Sequence, residues 1–195
     1  MKKTGMFVSV AMTCAMGFSP LFAADSGAAN PQPSTAQIEQ EANQNLLFLG
    51  GHALKKAKAL LEYYGDFAPF GAALMPNGEV KYVWAVKPGD DTSNVNPALV
   101  LESVRTALQT QAATGRILGS AVVYKYLPSR AEQAQPQVNI ELEYLSGEAR
   151  VLATKYQETD HGYEYGDAVR GQFEPIVFAA DGQPGSPQNG TRQGG

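Results

Sequence analysis

Residues 60–86 read LLEYYGDFAPFGAALMPNGEVKYVWAV, and this stretch decides the fold. It contains a helix end, a glycine break, a strand, a tight turn and a second strand. Gly65 follows Tyr63 and Tyr64, where a helix needs a left-handed residue to stop. Pro69 then denies the chain a helix, and Phe67 and Phe70 supply large apolar area. Met75-Pro76-Asn77-Gly78 is a strong hairpin signal, with proline first and Asn-Gly after it. The returning strand places Val80, Tyr82, Trp84 and Val86 on one face, opposite Glu79, Lys81, Val83 and Ala85. The Val80 face carries the larger side chains and is the expected core face.

Upstream, residues 37–64 predict the first helix, with Ser34 or Thr35 able to cap it. Leu46, Leu49, Ala53, Ala57, Leu60 and Tyr64 form its apolar stripe, widened by Leu54 and Leu61. Gly50-Gly51 interrupts that stripe at a cost of about 2 kcal/mol relative to alanine. The pair therefore implies close packing, a kink or a split helix.

Downstream, residues 87–95 form a polar loop. Asn96-Pro97 reads as an N-cap followed by proline at the first helical position. That second helix runs to about Thr114 and stops at Gly115, burying Val100, Val104, Leu108 and Ala112. Residues 117–127 are apolar on both faces, as in a central strand. Val138, Ile140, Leu142 and Tyr144 form one clean strand face opposite Asn139, Glu141 and Glu143. A last strand follows Ser146-Gly147. Residues 158–173 read as irregular, and residues 174–178 as an apolar patch that docks on the domain. The expected architecture is α+β, a five-stranded antiparallel sheet with two main helices in the order α-β-β-α-β-β-β. That element order is profilin-like, as in roadblock and longin domains.

The 195-residue chain fits one domain with tails. Residues 1–24 read as a secretory signal peptide: Lys2 and Lys3, a short apolar run, then small residues at Ala23 and Ala24 where cleavage is expected. Residues 25–36 read as a disordered linker, 37–180 as a single domain and 181–195 as a disordered tail. The expected location is periplasmic or secreted, with no stable membrane insertion after cleavage. The one cysteine, Cys14, leaves with the leader, which removes disulfides and thiolate chemistry. Without Lys2 and Lys3 the chain holds 13 basic against 19 acidic residues, a net charge of about −6. That balance disfavours nucleic acid as a partner.

The block Gly65-Asp66-Phe67-Ala68-Pro69-Phe70-Gly71-Ala72, with Gly78-Glu79-Val80 and Ile140-Glu141-Leu142-Glu143, resembles a family of small bacterial proteins of unknown function. The resemblance spans about residues 60–178 and rests on G-x-F-x-P-F-G-A. It implies no catalytic residues. Members of that family are often cytoplasmic, and the leader here departs from that.

No residue set names a reaction. The serines lie in no G-x-S-x-G elbow, and no glycine run matches a phosphate loop. Glu141 and Glu143 share one strand face about 6.5–7 Å apart, a spacing open to acid/base work. The plainer expectation pairs them with Arg150 and Lys155 on the next strand. His52 is expected on the surface or in packing. Asp160, His161 and Glu164 cluster in a tyrosine-containing loop open to a cationic ligand or metal, yet such loops are commonly just solvated. Tyr63, Tyr64, Phe67 and Phe70 either line a groove or fill the core. The reading is a binding module for a protein or small ligand, without catalytic residues, cofactor or metal. Its recognition surface would be the Tyr63–Phe70 corner and the His161 loop. Alternatives are an immunity or inhibitor protein against a secreted toxin, and a small hydrolase using Glu141, Glu143 or His161.

Overall fold

In the computed structural model, residues 33–128 and 134–179 are described. The expected leader and tail, and the linker as far as residue 32, lie outside them. The elements are α1 (Thr35–Tyr64), β1 (Phe70–Leu74), β2 (Val80–Trp84), α2 (Pro97–Ala113), β3 (Gly119–Tyr126), β4 (Gln137–Tyr144), β5 (Ala149–Thr159) and β6 (Gly162–Gln172). They form an α+β fold with one antiparallel sheet in the order β2-β1-β3-β4-β5-β6.

The sheet thus has six strands, one more than the alternation predicts. Residues 158–173, expected to be irregular, complete β5 and form β6. Asp160 and His161 are a two-residue turn between paired Thr159 and Gly162. The strand escapes pattern reading because it is an outer strand with water on most of its length. Only Tyr163 and Tyr165 along it are partly covered by other parts of the chain. Thr154 pairs with Ala168 and Tyr156 with Tyr165, so two steps on β5 face three on β6. The extra residue is a bulge at Gly166-Asp167.

Helix α1 starts two residues earlier than its periodicity suggests. Ser34 caps it in a reciprocal box with Gln37, and Gly65 closes it in the left-handed region at φ 73°. The helix runs 30 residues without a break across Gly50-Gly51. A Cβ on Gly50 would lie 3.0 Å from Leu142 Cδ1 and 3.1 Å from Leu152 Cδ1, while one on Gly51 would meet nothing within 4 Å. Close packing at Gly50 is the answer to the glycine pair. Leu46, Leu49, Ala53, Ala57 and Leu60 pack on Phe70, Ala72, Leu74, Val123, Ile140 and Leu142. Helix α1 therefore covers one face of the sheet.

Helix α2 covers the other. Asn96 caps it through a bond from Ala98 N–H, with Pro97 in the first turn. Val100, Val104 and Leu108 pack with Ala73, Ile117, Val122 and Val177. Gly71 makes room for it: a Cβ there would sit 3.0 Å from both Val104 Cγ1 and Leu108 Cδ1. A sheet clad on both faces explains why β1 and most of β3 are buried residue after residue. Among the described residues no helix is long and apolar enough to cross a membrane.

Candidate functional site

The Gly65–Pro69 corner joins α1 to β1, and two clefts open beside it. Asp66, Phe67, Ala68 and Thr92 line both. The first cleft, of about 220 Å³, is completed by Pro69, Val95, Pro97, Ala98, Leu101, Tyr124 and Lys125. The second, of about 240 Å³, lies between the last turn of α1 and the 86–92 loop. Leu60, Tyr64, Trp84, Val86, Lys87, Pro88, Gly89, Asp90 and Asp91 complete it.

The wall between the clefts is a polar knot. Thr92 Oγ1 donates to Asp66 Oδ2 at 3.2 Å, and Lys125 Nζ forms an ion pair with Asp66 Oδ1. Lys125 also lies 5.9 Å from the Phe67 ring centroid. Burial pulls the Lys125 ammonium below the usual lysine range. In the first cleft Lys125 and Asp66 answer each other, and the remaining surface is mostly apolar.

The second cleft is aromatic and acidic. Gly89, at φ 87°, seats the loop on Tyr64: a Cβ there would come within 3.0 Å of Tyr64 Cε1. Trp84 stacks on Phe70 at 4.8 Å between centroids. Asp90 Oδ2 accepts from Lys87 N–H at 3.2 Å, and Asp91 Oδ1 accepts from Ser93 N–H at 2.9 Å. The Ser93 N–H holds the Asp91 carboxyl below its usual range. These bonds brace the loop, and both aspartates line the cleft.

The sequence-predicted residues divide. Tyr63 is 80% exposed and Tyr64 46% exposed, so both present surface at the corner. Phe67 is buried with its ring edge-on to Phe70 at 5.7 Å, and Phe70 is wholly enclosed in the α1 core. Phe70 supports Trp84 from inside and is closed to a partner. Asp160, His161 and Glu164 do not converge. The first two occupy the β5–β6 turn, and Glu164 alternates away from Tyr163 and Tyr165. Among the described residues no group of three or more His, Cys, Asp or Glu side chains could hold a metal. The hairpin still reaches the corner, because Tyr163 OH donates to Gly65 O at 3.3 Å. His52 is exposed, with its ring 4.5 Å from that of Phe48.

Glu141 and Glu143 depart furthest from expectation. They lie buried on the face covered by α2, not on a solvated face. Their cross-strand neighbours on β5 are Val151 and Ala149, and Arg150 Nη2 donates instead to Asn43 Oδ1 on α1. Glu141 takes a bidentate pair from Arg105 of α2, 2.5 Å from Nη2 and 3.1 Å from Nε. Glu143 Oε2 accepts the Phe178 N–H at 2.8 Å, which pins the C-terminal segment. Neither glutamate lines either cleft. Both carboxylates act as struts between layers.

Sequence reasoning missed Asp66, Thr92, Lys125, Asp90, Asp91 and Arg105. The one local signal was Arg105, three and four residues from Leu108 and Leu101 on the covered side of α2. No protein-family model, curated protein or solved structure matches the chain.

Proposed function

We propose that the protein is an exported, non-enzymatic binding module and that its recognition surface is the Gly65–Pro69 corner. The observation that carries this reading is the pair of clefts sharing Asp66, Phe67, Ala68 and Thr92. Ligand sites are concave, mostly apolar and furnished with a few fixed polar groups. The corner has that composition, with Tyr63 and Tyr64 exposed beside it. The carboxylates a hydrolase would employ are committed to Arg105 and to the Phe178 N–H. Export rests on the leader at residues 1–24. The profilin-like architecture and the G-x-F-x-P-F-G-A family remain proposals of the same kind. The α-β-β-α-β-β-β order through β5 supports the first, and the placement of that motif at the corner supports the second.

The test is a thermal-shift screen of the secreted protein against a chemically mixed small-molecule library, repeated with Tyr64→Ala. Hits that lose their stabilising effect in the variant support the corner. A library without hits, or hits indifferent to Tyr64→Ala, Asp66→Asn and Thr92→Ala alike, removes the proposal.

A further inference from the structure

We infer that the second cleft takes a small organic ammonium ion. This rests on the corner being the recognition surface and adds the chemistry of the ligand. Three independent features of the cleft favour positive charge.

The first is its walls. Tyr64, Phe67 and Trp84 line it, and aromatic rings attract cations through the negative face of their quadrupole. The protein already uses that attraction nearby: the Lys56 ammonium lies 5.8 Å from the Trp84 centroid and 5.6 Å from that of Tyr82. The second is its charge. Asp90 and Asp91 line the cleft against a single lining ammonium, Lys87; the third lining carboxylate, Asp66, is already paired with Lys125. The third is the end of α1. Tyr64 is the final residue of a 30-residue helix, and the last turn contains no basic residue. Leu61 O accepts the Gly65 N–H, and the partial negative charge at this helix end is answered by no basic side chain of its own last turn.

Size limits the ligand. About 240 Å³ is below the ~300–1,000 Å³ of pockets for drug-sized molecules. An amine with one ring or a few carbons fits that volume. The first cleft lacks this bias, since its only charged pair is closed on itself.

Trp84 is the only tryptophan in the chain and lines the cleft, so the protein's tryptophan fluorescence arises at this site. The full chain is titrated with benzylammonium, benzyl alcohol and benzoate, three probes of one shape and different charge. The expected result is a saturable Trp84 response to benzylammonium about 10-fold tighter than to the alcohol, and none to benzoate. The double variant Asp90→Asn/Asp91→Asn loses most of that preference. Tyr64→Ala weakens the amine response; Tyr126→Ala, an exposed tyrosine outside the cleft, leaves it intact. Circular dichroism confirms that each variant folds. A further arm with Nα-acetyl-lysine N-methylamide separates two sources of one chemistry: tighter binding of this probe than benzylammonium assigns the cation to a partner's lysyl side chain.

Alcohol or benzoate binding as tightly as the amine, with all responses lost in Tyr64→Ala, sinks the cation inference and leaves the corner standing. No saturable response to any amine also sinks it. An amine response that survives Tyr64→Ala and the double variant removes both readings.

Discussion

Replacing Gly50 and Gly51 one at a time by alanine should have unequal effects on stability, although the two residues are adjacent. Alanine is worth about 1 kcal/mol over glycine in a helix interior. Gly51 points to solvent and its new methyl meets nothing within 4 Å, so Gly51→Ala collects that gain in full. Gly50 lies one hundred degrees round the helix, against the sheet. Its methyl would arrive 3.0 Å from Leu142 Cδ1 and 3.1 Å from Leu152 Cδ1. Ordinary contact between carbons needs about 3.5–4.0 Å. Two leucine ends must therefore rotate, or α1 must lift from β4 and β5 by a few tenths of an ångström. Overpacking of this kind costs about 1–3 kcal/mol. Set against the helix gain, Gly50→Ala should be neutral to about 2 kcal/mol destabilising, and the two variants should differ by about 1–3 kcal/mol. Urea unfolding followed by Trp84 fluorescence and by far-ultraviolet circular dichroism measures the difference. In melting temperature it corresponds to roughly 2–4 °C per kcal/mol for a domain of this size. Equal stabilisation by both alanines would refute the reasoning, since α1 would then stand too far from the sheet for Gly50 to be its point of closest approach.

Arg105→Leu should cost about 3–5 kcal/mol, because it strands the Glu141 carboxylate, only 4% exposed, without its partner. Adding Glu141→Leu should recover most of that loss in urea unfolding; a single variant as mild as the double one contradicts the strut reading. At high pH the tyrosines facing α1 should limit stability. Burial first, then Glu62, raises Tyr165 from 10.0 to about 12, and burial also raises Tyr163 and Tyr156. A raised pKa stabilises the fold fully below the unfolded value and loses that contribution as pH climbs through the folded value. Urea midpoints should hold to about pH 10 and fall between there and about pH 12, less steeply in Tyr165→Phe. Asn96→Ala should remove the cap of α2 at a cost of about 1 kcal/mol. An unchanged urea midpoint in that variant means the Asn96–Ala98 bond does not hold the helix start in solution.

Local signals carried much of the architecture. Asn96-Pro97 and Gly115 bracket α2 at its observed ends, and Gly78 turns the β1–β2 hairpin at φ 81°. The apolar face of β4, from Val138 to Tyr144, is the one that packs with α1. What failed was each inference that needed knowledge of distant chain. Glu141 and Glu143 look solvated because α2 and Phe178, which cover them, are more than thirty residues away in sequence. Strand β6 looks irregular because little packs on it to impose alternation. The clefts were legible only in their aromatic half. Tyr64 and Phe67 sit beside a visible break, whereas Asp66, Thr92 and Lys125 meet from three stretches with no common pattern.

The bulge at Gly166-Asp167 has a consequence for solubility. An unpaired outer strand offers its backbone to any neighbouring chain, and a regular one can recruit copies without end. Here β6 shifts its own spacing halfway along and carries Glu164, Asp167 and Arg170. At the opposite rim β2 is only five residues long and carries an exposed Lys81 as its second residue. Both rims are poor templates for growth, so concentrated protein should resist conversion to fibrils.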